Sequence, residues 1–216
     1  MAPAADQAHQ IYAAMVQEAS QRLAAASTYL LDFGSSQSLP TLESAILQVR
    51  KALEAIALAS IAPNRNAYEE FRSRAEEQKD YTKDYHAGKI FRVLGKINPD
   101  FYPVPLTGPT KMPDGMLFFG RKHDGYLTKK RFESFYDQLG KHLHAHNPWG
   151  TNKNLQNLAI DLPAVIIEAS SLLDLHATFI RTQEFTGAWV VQVPRDGSSP
   201  RVVAGATQGE FKVGDG

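Results

Sequence analysis

Residues 41–61, TLESAILQVRKALEAIALASI, decide the fold of this 216-residue chain. Apolar residues recur there at steps of three and four, which places them on one face of an α-helix. This first stripe consists of Leu42, Ile46, Val49, Leu53 and Ile56. A second stripe consists of Leu47, Leu58 and Ile61. A helix that is apolar on two sides belongs at the centre of a bundle, so the segment predicts a central helix that stops at Pro63.

Helical patterns on either side of this segment supply the rest of the bundle. They predict helices over 4–31, 66–83, 85–97, 128–147 and 155–175. The first helix should end before Gly34, followed by a loop over 35–40 and by Thr41 as the cap of the central helix. Pro163 is expected only at a break or in a first turn, because proline disrupts a helix interior. The apolar residues that give the first helix its spacing are Ile11, Met15, Leu23, Leu30 and Leu31.

The C-terminal part carries strand patterns instead. Residues 177–180, 188–193 and 201–206 are predicted strands, and 195–200 is a turn-rich loop between the last two. A further short strand is predicted at 116–119. We therefore predict a mainly α, α+β fold: a helical bundle over 1–175 with a Pro-rich connector at 98–115, and a β-rich appendage over 176–216. The appendage should be a small antiparallel β-meander packed on the same domain.

Composition excludes several classes of protein and limits the partners. The chain has no cysteine, so disulfides, thiolate metal sites and cysteine nucleophiles are excluded. Its N-terminus lacks the features of a signal peptide, and its longest nearly apolar run, 52–62, is too short to cross a bilayer. We expect a cytoplasmic protein with no membrane partner. No nucleophile elbow, phosphate loop or dinucleotide fingerprint is present in the sequence.

One segment concentrates positive charge. The whole chain is neutral, with 23 Lys and Arg against 23 Asp and Glu. Residues 121–153, however, contain 7 Lys and Arg against 3 Asp and Glu, a local net charge of +4, and four histidines. This basic, histidine-rich segment is the charge feature that points to a partner, and RNA is the partner that it suits.

Arg50 and Glu54 are the first candidate site residues. They lie four apart on the central helix, so their side chains can meet. If their face is buried, the two charges must pair, because a lone buried charge is costly. The pair is interpreted as a structural ion pair that fixes the register of the bundle, with a polar binding pocket as the alternative.

The second candidate is the histidine run after Lys141. His142 and His146 lie four apart on one helical face, the spacing of a metal-binding pair, while His144 points elsewhere. Cationic side chains are also favoured in the last turn of a helix by its dipole. A third interpretation is a patch that transfers protons or contacts phosphate. A further polar run, 80–86, fits a solvated helix junction better than a site. No cofactor is expected.

Residues 47–57, LQVRKALEAIA, resemble the Arg-x-Ala-Leu-Glu helix of HEPN-like helical proteins of bacteria. Residues 143–148, LHAHNP, add to a likeness that spans about 41–148. The resemblance implies a four-to-five-helix bundle; many members are metal-independent ribonucleases, often dimeric. The nuclease members carry an arginine and a histidine with four to six residues between them, whereas here Lys141, with four residues between it and His146, stands in the place of the arginine. The resemblance implies that His146 acts as general acid or base and that Lys141 contacts a phosphate.

Three functions remain open from the sequence. The first is a helical interaction module that associates with itself or with a protein partner. The second is a HEPN-like RNA-acting protein, either a ribonuclease or an RNA binder, with Lys141 and His146 as catalytic residues. Its binding residues would be Arg50, Glu54, His142 and His144. The third is a histidine-based metal site at His142 and His146.

Overall fold

The computed structural model describes residues 3–75, 79–142, 155–181 and 186–206. The protein is mainly helical and α+β overall, as predicted. Short 3-10 turns lie at Ala62–Asn64 and Tyr81–Lys83. The helices are α1 Pro3–Ser36, α2 Leu39–Ala59, α3 Arg65–Ser73, α4 Ala87–Ile97, α5 Lys129–His142 and α6 Leu155–Asp174.

Helix α2 is the centre of the bundle, as its two apolar stripes predict. Its first stripe, from Leu42 to Ile56, is at most 1% exposed, and α1, α4, α5 and α6 all pack against the helix. The second stripe is less buried, and Leu47 is 38% exposed. Five alanines of α2 are also buried, which lets neighbouring helices approach closely: Ala45, Ala52, Ala55, Ala57 and Ala59.

Helices α1 and α2 form an antiparallel hairpin with a shorter connection than predicted. Helix α1 continues through Gly34, so the predicted end before Gly34 and the loop over 35–40 are wrong. Gln37, with φ of 53°, and Ser38 alone separate the helices. Ser38, not Thr41, is the N-cap residue, because Pro40 fits within the first turn, where its missing N–H is not needed.

Two other helix predictions need correction. Helix α3 ends at Ser73, so the predicted helix over 66–83 is too long. Pro163 lies inside α6 with no break in the helix. Pro163 faces solvent, while Leu162 and Val165 are fully buried beside it. We attribute the continuity of α6 to this inner packing, which holds the turns on both sides of the proline.

The main sheet contains the three predicted C-terminal strands and one strand that was not predicted. The described strands are β1 Val104–Pro105, β2 Thr110–Lys111, β3 Leu117–Phe118, β4 Leu175–Arg181, β5 Thr186–Gln192 and β6 Arg201–Ala206. The antiparallel order of the main sheet is β1-β4-β5-β6. Strand β1 comes from the Pro-rich connector, and Val104 pairs with Ala177 of β4. Trp189 and Val191 of β5 join the same apolar core as the helices.

Two buried polar groups connect the helices to the sheet. Asn98, fully buried, donates from Nδ2 to Asn64 Oδ1 at 3.1 Å and to the Phe179 carbonyl of β4 at 2.7 Å. His176 of β4 is also fully buried, and its Nε2 lies 2.8 Å from the Tyr12 hydroxyl of α1. These contacts fix β4 against α1, against the 3-10 turn at Ala62–Asn64 and against the end of α4.

Within the described ranges, no helix has both the length and the apolar character needed to cross a membrane.

Candidate functional site

A cavity of about 360 Å³ lies between the segment that follows α4 and the segment that leads into α5. Its volume is at the lower end of the range for small-ligand sites. Residues 99–105 supply one wall, and 121–129 supply the other. The cavity is therefore built from two non-helical stretches that are about twenty residues apart in the sequence.

Backbone hydrogen bonds hold the two walls together. Leu106 and Arg121 form an antiparallel bridge, and the Lys122 amide donates to the Pro105 carbonyl at 2.9 Å. Leu106 in turn donates to the Leu175 carbonyl at 2.8 Å. Strand β1 thus joins the cavity walls to the main sheet.

Cationic side chains dominate the charge around the cavity. Arg121, Lys122 and Lys129 line it together with His123. Among its described lining residues, Asp100 is the one acidic side chain, and it is ion-paired with Arg181 at 2.7 Å. The carboxylate charge of Asp100 is thereby compensated from outside the cavity, which leaves the lining positive.

The two cavity lysines have neutral partners. Lys122 Nζ donates to the Ser171 hydroxyl at 3.2 Å and to the Ser171 carbonyl at 3.3 Å. Lys129 Nζ lies 5.1 Å from the centroid of the Phe101 ring, within cation–π range. These contacts orient the ammonium groups without neutralising them, so both can interact with an anion.

Neutral polar side chains complete the lining. Burial raises the pKa of Tyr102 well above its ordinary value, so its hydroxyl stays protonated and donates to the Leu127 carbonyl at 2.7 Å. Thr128 caps α5, because its Oγ1 accepts from the Arg131 amide at 3.3 Å. The positive end of the α5 dipole adds to the field of the cations. The arrangement suits an anionic group such as a phosphate.

Arg50 and Glu54 meet on α2 as expected, and their cluster extends to Tyr136 of α5. Arg50 Nε lies 3.1 Å from Glu54 Oε1, and Arg50 Nη2 donates to the Tyr136 hydroxyl at 2.9 Å. The hydroxyl donates to Glu54 Oε1 at 2.9 Å. The Arg50 guanidinium also stacks 4.3 Å from the Tyr136 ring centroid. The three groups therefore satisfy one another.

The cluster of Arg50, Glu54 and Tyr136 connects α2 to α5. Burial and the hydrogen bond to Glu54 raise the pKa of Tyr136 to about 12, so the phenol remains a donor at neutral pH. A Cβ at Gly140 would lie 2.7 Å from Arg50 Nη1, so the glycine gives the guanidinium room. His86 adds an edge-to-face ring contact with Tyr136 at 5.3 Å. This geometry favours the structural interpretation of Arg50 and Glu54.

The other predicted site residues lie at or beyond the end of α5. Lys141 and His142 occupy its last turn, where Lys141 is exposed and His142 is half-buried. His144 and His146 lie outside the described residues. Over the parts of the chain that the structure describes, no group of three His, Asp or Glu side chains is arranged to hold a metal ion. The catalytic pair Lys141 and His146 therefore stays a prediction.

Sequence reasoning identified the basic segment but not the cavity. The charge count over 121–153 includes Arg121, Lys122 and Lys129. The Pro-rich connector at 98–115 was expected only to link the helices on either side of it, yet it supplies one wall of the cavity. The polar run 80–86 has the contacts of a helix junction. Asp80 accepts from the Thr82 amide, and Asp84 accepts from the Tyr68 hydroxyl at 2.9 Å.

Comparisons with known proteins found no counterpart: no family model, no curated protein and no solved structure matches the chain.

Proposed function

We propose that the protein binds RNA, and that the cavity between α4 and α5 holds a backbone phosphate. The observation that carries the proposal is the convergence of Arg121, Lys122 and Lys129 on a cavity whose carboxylate, Asp100, is already paired. Phosphates supply most of the affinity between proteins and nucleic acids through such cations. The resemblance of residues 47–57 to HEPN-like proteins supports the same function.

The neutral overall charge is compatible with this proposal. Binding then depends on a local positive site rather than on attraction by the whole molecule. Such a site contacts a few phosphates, so we expect moderate affinity and a shallow dependence on salt. If the protein is also a ribonuclease, His146 and Lys141 are the residues proposed to act. The ribonuclease proposal would be supported if the wild type cleaves total RNA and the His146→Ala variant does not.

The double variant Lys122→Ala with Lys129→Ala tests the cavity. In this proposal the two lysines hold one backbone phosphate, so their loss should make the slope of log K against log salt less negative by about 0.7, the contribution of one phosphate of a single strand. By the same relation, affinity should fall roughly 5-fold at about 0.1 M salt. Fluorescence anisotropy with a labelled single-stranded RNA of about 16 nucleotides measures both quantities.

A matched control removes the same charge elsewhere. Lys51 and Lys130 are exposed and lie outside the cavity lining, and Lys130 is the neighbour of Lys129. The double variant Lys51→Ala with Lys130→Ala should bind nearly as the wild type does. Equal losses in the two double variants, or a wild type that binds no RNA, would contradict the proposal.

A second candidate function is a protein interaction module, and the edge strand β6 favours it. Among the described strands, β6 pairs only with β5, and Val203 on it is 67% exposed. An exposed edge strand can add a strand from another chain. We therefore expect the wild type to self-associate in light scattering and Val203→Lys to be monomeric. A monomeric wild type would count against self-association.

A further inference from the structure

Residues 107–120 form a two-stranded arm that extends from the cavity walls. Its base is tied by the Thr107 amide, which donates to the Gly120 carbonyl at 2.8 Å. Thr110 then pairs with Phe118, and Lys111 pairs with Leu117. This register leaves residues 108 and 109 opposite Phe119 alone, which is the two-against-one pattern of a β-bulge.

The tip of the arm is a defined turn. The Gly115 amide donates to the Met112 carbonyl at 2.9 Å, and the Met112 amide donates to the Met116 carbonyl at 2.8 Å. Gly115 has φ of 86°, a left-handed conformation that glycine adopts without strain. These contacts give the arm one register, so its side chains have fixed positions relative to the cavity.

The arm exposes large apolar side chains. Phe118 and Leu117 are each 58% exposed, Met116 is 66% exposed and Met112 is 42% exposed. A concentration of exposed apolar groups on a short element marks an interaction surface. Phe118 is the aromatic member of the set, and its neighbours leave the ring accessible. Thr110, opposite Phe118, is small, and Gly120 has no side chain.

Positive charge lies on and beside the arm. Side chains alternate along an extended segment, so Phe118, Gly120 and Lys122 share one face. Lys122 lines the cavity and lies about 13 Å along the chain from Phe118, at about 3.3 Å per residue. Lys111 pairs with Leu117, and Arg121 alternates with Lys122, so both of these cations lie on the face opposite Phe118. The cation on the Phe118 face is therefore Lys122, at the cavity. An aromatic ring that leads to a cationic phosphate site is a combination that binds single-stranded nucleic acid.

We propose that the arm binds unpaired bases, with Phe118 as the stacking surface, while the cavity binds the adjoining phosphate. This inference rests on the proposed RNA binding and adds a base-binding role for the arm. The charge of Lys122, on the same face as the ring, favours a nucleic acid over an apolar protein partner, because Lys122 would lose solvation beneath an apolar surface. A base paired in a duplex cannot present its face to Phe118, so the arm selects single strands.

Three substitutions at Phe118 separate stacking from apolar contact. Phe118→Ala should weaken binding to single-stranded RNA by between about 5-fold and about 150-fold, the range for loss of one stacked base. Phe118→Leu keeps an apolar side chain and should lose nearly as much, whereas Phe118→Trp should bind as well as the wild type. Anisotropy with a labelled single-stranded RNA and with its perfect duplex supplies the measurement.

Leu117→Ala is the matched control, because Leu117 is adjacent, equally exposed and on the opposite face of the strand. It should bind RNA as the wild type does, and duplex RNA should bind more weakly than the single strand. The inference is overturned if Phe118→Leu and Phe118→Ala bind normally while the cavity double variant does not; the cavity proposal then stands. A wild type that binds neither the single-stranded RNA nor the duplex overturns both the arm proposal and the cavity proposal.

Discussion

Asn98→Ala should lower the free energy of unfolding by about 3 kcal/mol, the cost of leaving buried polar groups without partners. The amide group of Asn98 contacts three elements. It donates to Asn64 Oδ1 and to the Phe179 carbonyl, and its Oδ1 accepts from the Asp100 amide at 3.0 Å. Asn64 is also fully buried, so water cannot replace the lost partner without entering the core.

Urea unfolding followed by circular dichroism tests this prediction. Asn98→Asp keeps the acceptor for the Asp100 amide but turns an oxygen toward Asn64 Oδ1 and the Phe179 carbonyl, so it should destabilise the protein at least as much. Gln21→Ala is the control, since Gln21 is exposed and carries the same carboxamide group, and surface changes of this kind stay within about 0.5 kcal/mol. A loss below about 1 kcal/mol for Asn98→Ala would show that the contacts contribute little.

Acid should destabilise the protein through His176. Burial lowers the pKa of His176 from 6.5 to about 4, since the charged imidazolium cannot be solvated in the core. Above pH 6.5 the imidazole is neutral in both states, and its full contribution to stability is present. Between pH 6.5 and 4 the unfolded chain takes up the proton and the folded chain does not. The free energy of unfolding therefore falls by roughly 3 kcal/mol over this window.

His176→Gln isolates this effect from other titrating groups. Glutamine places an amide near the position of Nε2, where it can contact the Tyr12 hydroxyl, and it does not titrate. The stability difference between wild type and variant should therefore shift in the variant's favour as the pH falls from 7 to 4. His123→Gln, at an exposed position, should keep the wild-type profile. Parallel profiles for wild type and His176→Gln would refute the prediction.

The helices were largely predictable because their apolar spacing is local. The stripe of α2 identified the centre of the bundle directly. In α1 the predicted Leu23 is buried, but Ile11 and Leu31 are 40% and 77% exposed. The buried stripe consists of Tyr12, Val16, Ala19, Leu23 and Ala26. Alanines have little weight in a hydrophobicity pattern, yet they allow the close contact with the alanine-rich α2.

The candidate site was less predictable because its parts are distant in sequence. Arg50 and Glu54 could be paired from their spacing, but no local spacing indicates that Tyr136 of α5 is their partner. The cavity needs Lys122 beside residues 99–105, and no periodicity encodes that proximity. Charge counting located the basic segment, and only the three-dimensional structure could show which of its cations converge.

The pairing of Val104 with Ala177 determines when the cavity walls can join the main sheet during folding. The α1–α2 hairpin joins residues close in sequence and can assemble early, whereas β1 must find a strand more than seventy residues downstream. The Leu106–Arg121 bridge is local and can tie the two walls to each other early, but the long loop from β1 to β4 is entropically costly to close. We therefore expect the walls to dock on the sheet among the last events, and a nascent chain that lacks β4 would leave them without that support.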